Sequence, residues 1–258
     1  MKKEIHLIFT ALMFYTRIPC PKWVDHNATY LNLSTKYLPF IGWIVGAISA
    51  VIFYFGRFLL PVEISIFLAI LAGFLTTGGF HEDGLADVCD GFGGGWTQEK
   101  ILAIMKDSRV GTYGVLGLII AVGLKFLGLN TLLENANFIQ ILAVFIAAHS
   151  VSRLAATSII YTEKYAREDA SAKAKPVAKK MKTMHFVVAV LFGLSPLVLF
   201  FSSYILLVLI PVIILRYYLV GYFNKWVKGY TGDCLGATQQ ITEVIFYLSL
   251  IAYGNLSN

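Results

Sequence analysis

Long apolar runs separated by short charged segments dominate the chain. Seven runs approach the ~20 residues that a bilayer core asks of a helix: 37–57, 62–80, 112–133, 137–160, 186–201, 203–223 and 238–256. The fifth is short and carries Pro196, so it reads either as a tilted span or as one arm of a tight hairpin with the sixth across Ser202-Ser203. Seven spans are expected, with six or eight as the bounds. Ahead of them, Ile5, Ile8, Phe9, Leu12 and Met13 recur at helical spacing within 4–17. That segment is too short to cross, so it is predicted to lie in the interface. It should end at Thr16-Arg17-Ile18-Pro19, because a residue before proline avoids the α region.

Composition agrees. The chain is 57% hydrophobic and 14% charged, with mean hydropathy +0.71, outside the range of soluble domains. The runs are continuous rather than alternating, which excludes a transmembrane β-barrel. The expected fold is therefore an all-α, polytopic integral membrane protein, one domain over 1–258 without internal repeats. The three cysteines (Cys20, Cys89, Cys234) are isolated, which argues against disulfides and thiolate metal sites. No small-residue cleavage site follows the basic start, so no signal peptide is predicted.

The net charge is +6. In a membrane protein this reflects loops facing anionic lipid, so the expected partner is the lipid bilayer and not nucleic acid. With an inside N-terminus, 17 Lys and Arg fall in inside segments and only Arg57 falls outside; Lys125, Arg153 and Arg216 lie within spans. The positive-inside rule then places the N-terminus in the cytoplasm. Segments 81–95, 96–111 and 229–237 fall on the same cytoplasmic face. The basic loop 161–184 reads as a solvated connector and topology signal.

Three stretches carry candidate chemistry. In Gly78-Gly79-Phe80-His81-Glu82-Asp83-Gly84-Leu85-Ala86-Asp87-Val88-Cys89-Asp90-Gly91, four carboxylates fall within nine residues. At about 100° per residue, Asp83, Asp87 and Asp90 share roughly 60° of one helical face, with Glu82 beside it. Such like charges at the mouth of a membrane helix call for a cation. An all-oxygen donor set with His81 as the only nearby histidine points to Mg²⁺ or Mn²⁺ rather than zinc. The glycines of Gly91-Phe92-Gly93-Gly94-Gly95 are expected to form a flexible segment able to approach an anion.

The second stretch, Lys106-Asp107-Ser108-Arg109-Val110-Gly111-Thr112-Tyr113-Gly114, sets cations and hydroxyls before a span whose N-terminus would suit phosphate. The third, Gly229-Tyr230-Thr231-Gly232-Asp233-Cys234-Leu235-Gly236-Ala237-Thr238, places Asp233 in a glycine-flanked turn. Glu243, deeper in the last span, needs a partner, and Arg153 or Arg216 is the expected one; His149 and Arg153 share a helical face. Together the three stretches suit phosphoryl or phosphonucleotidyl transfer at a membrane surface.

These motifs, in this order and with Phe14-Tyr15-Thr16-Arg17-Ile18-Pro19 near the start, resemble the cobalamin synthase (adenosylcobinamide-GDP ribazoletransferase) family over nearly the whole chain. The family's Gly-Gly-Leu-His-Glu-Asp reads Gly-Gly-Phe80-His-Glu-Asp here. The resemblance implies transfer of the adenosylcobinamide phosphate group from adenosylcobinamide-GDP to α-ribazole or α-ribazole 5′-phosphate. GMP is released, Mg²⁺ is required, and the enzyme sits at the inner face of the cell membrane. The expected metal ligands are Glu82, Asp83, Asp87 and Asp90. Lys106, Asp107, Ser108, Arg109, Thr231, Gly232 and Arg153 are expected to contact substrate. Asp233 is a further ligand or the base on the ribazole 5′-hydroxyl, with Asp90 the rival base. Asp83-Gly84-x-Ala86 also resembles the start of the CDP-alcohol phosphotransferase signature, although Asp87 stands where that signature has Arg. A lipid head-group enzyme is thus the alternative, followed by an acid-lined cation transporter. Homo-oligomer formation is left open.

Overall fold

A computed structural model describes residues 2–24, 27–166 and 181–257. Among these it is all-helical. The helix α1 (Lys2–Tyr15) lies against α2 (Ala28–Ser34), which runs through a 3₁₀ turn into α3 (Leu38–Gly56). Then come α4 (Val62–Thr77), α5 (Phe80–Gly94), the short α6 (Gln98–Ile104), α7 (Thr112–Leu133) and α8 (Phe138–Thr162). Beyond the basic connector, α9 (Thr183–Leu194) passes into a 3₁₀ segment at Ser195–Phe200. A second 3₁₀ segment (Ser203–Val208) leads into α10 (Leu209–Val227), and α11 (Gly232–Ser257) closes the chain. Most of the basic loop expected at 161–184, residues 167–180, lies outside the described residues.

Six helical stretches are long and apolar enough to cross a membrane, and α4 with α5 makes a seventh if that bent pair is one span. The expected straight span 62–80 is the main difference. Gly78 and Gly79 both take left-handed conformations (φ 71° and 70°), and the chain bends by 91° between α4 and α5. Two successive left-handed residues are accessible to glycine without steric penalty, whereas another L-residue would be strained. The last span also starts earlier than expected, at Gly232. Thr231 Oγ1 caps it by accepting the Cys234 N–H at 3.2 Å. Pro196 sits in the first turn of the 3₁₀ segment that ends α9, where its missing N–H costs nothing.

The spans α8 and α11 are mostly buried, while α7, α9 and α10 turn most of their surface outward. Outward side chains such as Phe58, Leu59, Ile119, Ile120, Ile214 and Tyr217 form an apolar belt suited to lipid. Helix α3 meets α8 through Gly42 and Gly46, a small-xxx-small pair that lets backbones touch. A Cβ at Gly46 would fall 2.7 Å from the Phe145 carbonyl oxygen, and one at Gly42 would collide with that of His149.

Two ends of the bundle are defined. At one, Arg57 Nη1 donates to the Ala136 carbonyl (2.8 Å), joining the end of α3 to the α7–α8 connection. At the other, the Arg17 N–H reaches the Thr76 carbonyl (2.7 Å). At that same end Tyr230 pairs with the 164–166 segment, its N–H on Lys164 O (3.0 Å) and its carbonyl accepting from Ala166 N–H (2.9 Å). Helix α5 and the 106–114 and 229–237 segments all belong to this second end.

Substituting Gly46→Val should destabilise the protein by about 1–3 kcal/mol, read as a lower melting temperature in detergent. Gly123→Ala, where a Cβ meets nothing within 4 Å, should leave the melt unchanged or slightly raised. Equal melts for the two variants would refute the α3–α8 packing.

Candidate active site

Helix α5 is where the three motifs meet. It crosses α11 with backbones in contact. A Cβ at Gly84 would lie 3.0 Å from the Asp233 carbonyl oxygen and 3.2 Å from Gly236 Cα, and one at Gly236 would lie 3.0 Å from the His81 carbonyl oxygen. This crossing brings Asp233, at the first turn of α11, beside the helix that carries Asp83 and Asp87. On its other side α5 meets α7. Gly93 leaves no room for a Cβ against the Tyr113 ring (2.5 Å), nor Gly117 against Cys89 Sγ (2.5 Å). The glycines expected to form a flexible loop therefore continue α5 as far as Gly94, because their missing side chains are what permits this packing.

Asp90 is buried, and its carboxylate accepts the N–H groups of Gly111 (2.6 Å) and Gly114 (2.8 Å). These are donors left over at the start of α7, so Asp90 acts as a cap delivered from another helix, in favourable alignment with the helix dipole. The N-terminus expected to hold a phosphate thus holds Asp90.

The sharp turn at Gly78–Gly79 opens onto a cleft of about 610 Å³, lined by Phe14, Thr16, Arg17, Glu82, Asp83 and Val110 among others. Its volume suits a nucleotide-sized ligand. Among the described residues, Arg17 is the one basic side chain in its lining, which it shares with the two carboxylates. Its side chain lies across Gly78, where any Cβ would collide with the guanidinium. The motif search did not assign Arg17 to the site. The available signal was a lone cation at the proline-stopped end of the first helix, on the same face as the acidic stretch.

Glu82 forms part of the cleft wall. Its Oε1 accepts from Gln240 Nε2 at 2.7 Å, while Oε2 is buried without a hydrogen-bond partner. Asp83 is exposed at the cleft and Asp87 is half-buried. Among the described residues, no three His, Cys, Asp or Glu side chains gather closely enough to hold a metal ion. The four expected ligands thus do not form one cage: Asp90 is turned to α7 and Glu82 is engaged by α11. The donor set still fits Mg²⁺, which commonly takes one or two carboxylates and completes its shell with water and substrate phosphate. The orphaned Glu82 oxygen is the observation that favours it.

The loop before α7 flanks the cleft through Val110. Lys106, Ser108 and Arg109 are exposed there. Arg109 is clasped by Asp107, with Nη2 to Oδ2 at 2.6 Å, and the guanidinium holds the Asp107 carboxyl down at about 2. Thr231 is buried as the α11 cap and donates to Asp233 Oδ2 (3.2 Å), while Gly232 is exposed beside it. Arg153 is not in the cleft. It is 1% exposed inside the bundle, donating to the His149 carbonyl (2.9 Å) and meeting His149 Nδ1 at 3.1 Å. Glu243 has a different partner from the expected ones. Lys125 of α7 lies 3.1 Å from it, and Arg216 bonds Ser158 and Thr162 instead.

Comparison with known proteins shows the family. The family model described as cobalamin-5-phosphate synthase matches residues 7–251. The chain belongs to this family. A relative from Shewanella sp. (strain W3-18-1), named adenosylcobinamide-GDP ribazoletransferase, is 44% identical over 256 residues, covering 98% of this chain and 97% of its own. A relative of the same name from Leptospira interrogans is 43% identical over 261 residues, covering 99% and 98%. No solved structure matches the chain. The family match runs from α1 to α11, so it takes in the cleft, the α5–α11 crossing and the loop before α7 together.

Asp90→Ala should lower stability by about 1–2 kcal/mol, as loss of a good cap does, and Asp90→Asn, which keeps one acceptor oxygen, should lower it less. Thermal melts in detergent measure both. An Ala variant that melts like the parent would remove Asp90 from its capping role.

Proposed function

We propose that this chain transfers the adenosylcobinamide phosphate group of adenosylcobinamide-GDP to α-ribazole or α-ribazole 5′-phosphate, releasing GMP. The observation that carries this reading is the meeting of three motif-bearing segments on α5, beside a cleft lined by Glu82, Asp83 and Arg17. The names of the relatives support it.

The bond made is between an acceptor ribose oxygen and the phosphorus on the cobinamide side of the diphosphate. The bond broken is that phosphorus to the oxygen that leaves with GMP. An acceptor already phosphorylated at its 5′-oxygen has no free hydroxyl there, so an enzyme taking either form attacks through another ribose hydroxyl. Asp233, half-buried in the first turn of α11 beside the α5 acids, suits the base that removes its proton. Asp90 does not suit that role, since both its oxygens already accept backbone N–H groups. Glu82 and Asp83, with Asp87 beside them, would hold Mg²⁺, which neutralises diphosphate charge and stabilises the leaving phosphate. Arg17, in the same lining, suits the donor diphosphate, because a planar guanidinium can bind two phosphate oxygens at once. Lys106, Ser108 and Arg109 sit on the loop bordering this cleft and suit the guanosine phosphate.

The excess of Lys and Arg on inside segments supports a multi-pass protein of the cell membrane with this cleft on the cytoplasmic face. A cation transporter fits less well, because the inner cavity lined by Glu82, Lys125 and Glu243 measures about 20 Å³, room for one water.

Detergent-solubilised protein incubated with adenosylcobinamide-GDP, α-ribazole and Mg²⁺ should release GMP. Asp83→Asn should lose activity by roughly 100-fold or more while melting like the parent. Arg17→Ala should raise the KM for the donor about 10-fold, the scale of a lost charge-assisted hydrogen bond, with the acceptor KM little changed. No GMP from the parent protein would defeat the reading, and near-normal turnover by Asp83→Asn would remove the carboxylates from the reaction.

A further inference from the structure

Below the cleft, a chain of polar side chains runs into the membrane-spanning part of the bundle. Glu82 Oε1 accepts from Gln240 Nε2 (2.7 Å), and Gln240 Oε1 accepts from Lys125 Nζ (2.7 Å). Lys125 Nζ lies 3.1 Å from Glu243 Oε2, which also accepts from Gln239 Nε2 (2.8 Å), while Tyr247 donates to Glu243 Oε1 (3.3 Å). Lys125, Gln240 and Glu243 are each 3% exposed. Charges this deep in a membrane bundle are costly to keep and mark function more often than packing.

The chemistry of the chain fixes its direction. An ammonium donates and cannot accept, so the end of the Gln240 amide that faces Lys125 must be the carbonyl. Its NH₂ then faces Glu82, and its second hydrogen is taken by Gln239 Oε1 (2.7 Å). The usual ambiguity of a glutamine amide is absent here. Glu82 is held by one oxygen, leaving Oε2 buried and unpartnered. Glu82 is also a shared wall, lining both the 610 Å³ cleft and the 20 Å³ inner cavity.

We propose that Gln240 is a positioning residue for the divalent cation site. The Lys125–Glu243 ion pair within the membrane sets its amide direction, and the amide in turn holds Glu82 with one carboxylate oxygen free for the cation. The inference rests on reading Glu82 as a metal ligand. It extends the site from the cleft into the buried lengths of α7 and α11, and neither Lys125 nor Gln240 belongs to the three motifs around α5. Without Lys125, the Gln240 carbonyl loses its donor, and the amide is held only through its NH₂ by Glu82 and Gln239.

The test measures metal binding apart from turnover, by the EPR signal of free Mn²⁺ titrated into purified detergent-solubilised protein. Two variants are compared with the parent: Gln240→Met, and the double variant Lys125→Met/Glu243→Gln, which removes both charges of the pair and leaves Glu82 as the carboxylate acting on the buried Arg153 guanidinium. The double variant should melt within a few degrees of the parent, on the order expected when a buried pair is replaced as a unit. Both should nonetheless bind Mn²⁺ roughly 10- to 100-fold more weakly, the range for loss of a ligand's outer partner, with GMP release falling in parallel. A merely structural ion pair predicts the opposite for the double variant: restored stability and restored Mn²⁺ affinity. Parent-like Mn²⁺ affinity in either folded variant overturns this inference alone. A parent protein that binds no Mn²⁺ overturns the metal reading and this inference with it.

Discussion

Two helices cannot approach to backbone contact unless their side chains are out of the way, and at the α5–α11 crossing Gly84 and Gly236 meet that condition. Much of the site follows from it. An α5 held this close to α11 has its acids beside Asp233, its Glu82 within reach of Gln240, and its far end aligned so that Asp90 meets the first N–H groups of α7. Any side chain larger than hydrogen at the crossing would push the helices apart and separate all three at once. In lipid, where apolar surface alone gives helices little reason to associate, such close packing and the hydrogen bonds it permits are the main attractive terms.

The acidic helix is consequently less repulsive than its charge density suggests. Asp90 is neutralised by a helix terminus, and Glu82 by an amide oriented from below. Asp83, the exposed member, lines the cleft together with Arg17. Each acid has its own environment, which is a different solution from four carboxylates sharing one ion.

The helical class, the number of spans and the three segments that meet at one end were legible from apolar run lengths and residue types. What escaped has specific causes. The Gly78–Gly79 bend lies inside an apolar run, and hydropathy reads straight through a change of direction. Asp90 looked like a fourth ligand because its partners are backbone N–H groups, which leave no mark in a sequence. The partner of Glu243 was misassigned to Arg153 or Arg216 because the choice depends on how α7, α8, α10 and α11 are rotated about their axes, and several basic residues inside spans were equally available. Arg17 carries no such mark in the sequence, since its place in the cleft depends on the turn about 60 residues later.

The bend has a further bearing on the surrounding bilayer. Helix α4 has 16 residues, a rise of about 24 Å where the hydrocarbon layer measures roughly 30 Å. The two left-handed glycines therefore end it short of the far surface, and lipid beside it must thin or the helix must be flanked by water. A bilayer that thins to match α4 would lower the mouth of the cleft below the level of the surrounding headgroups.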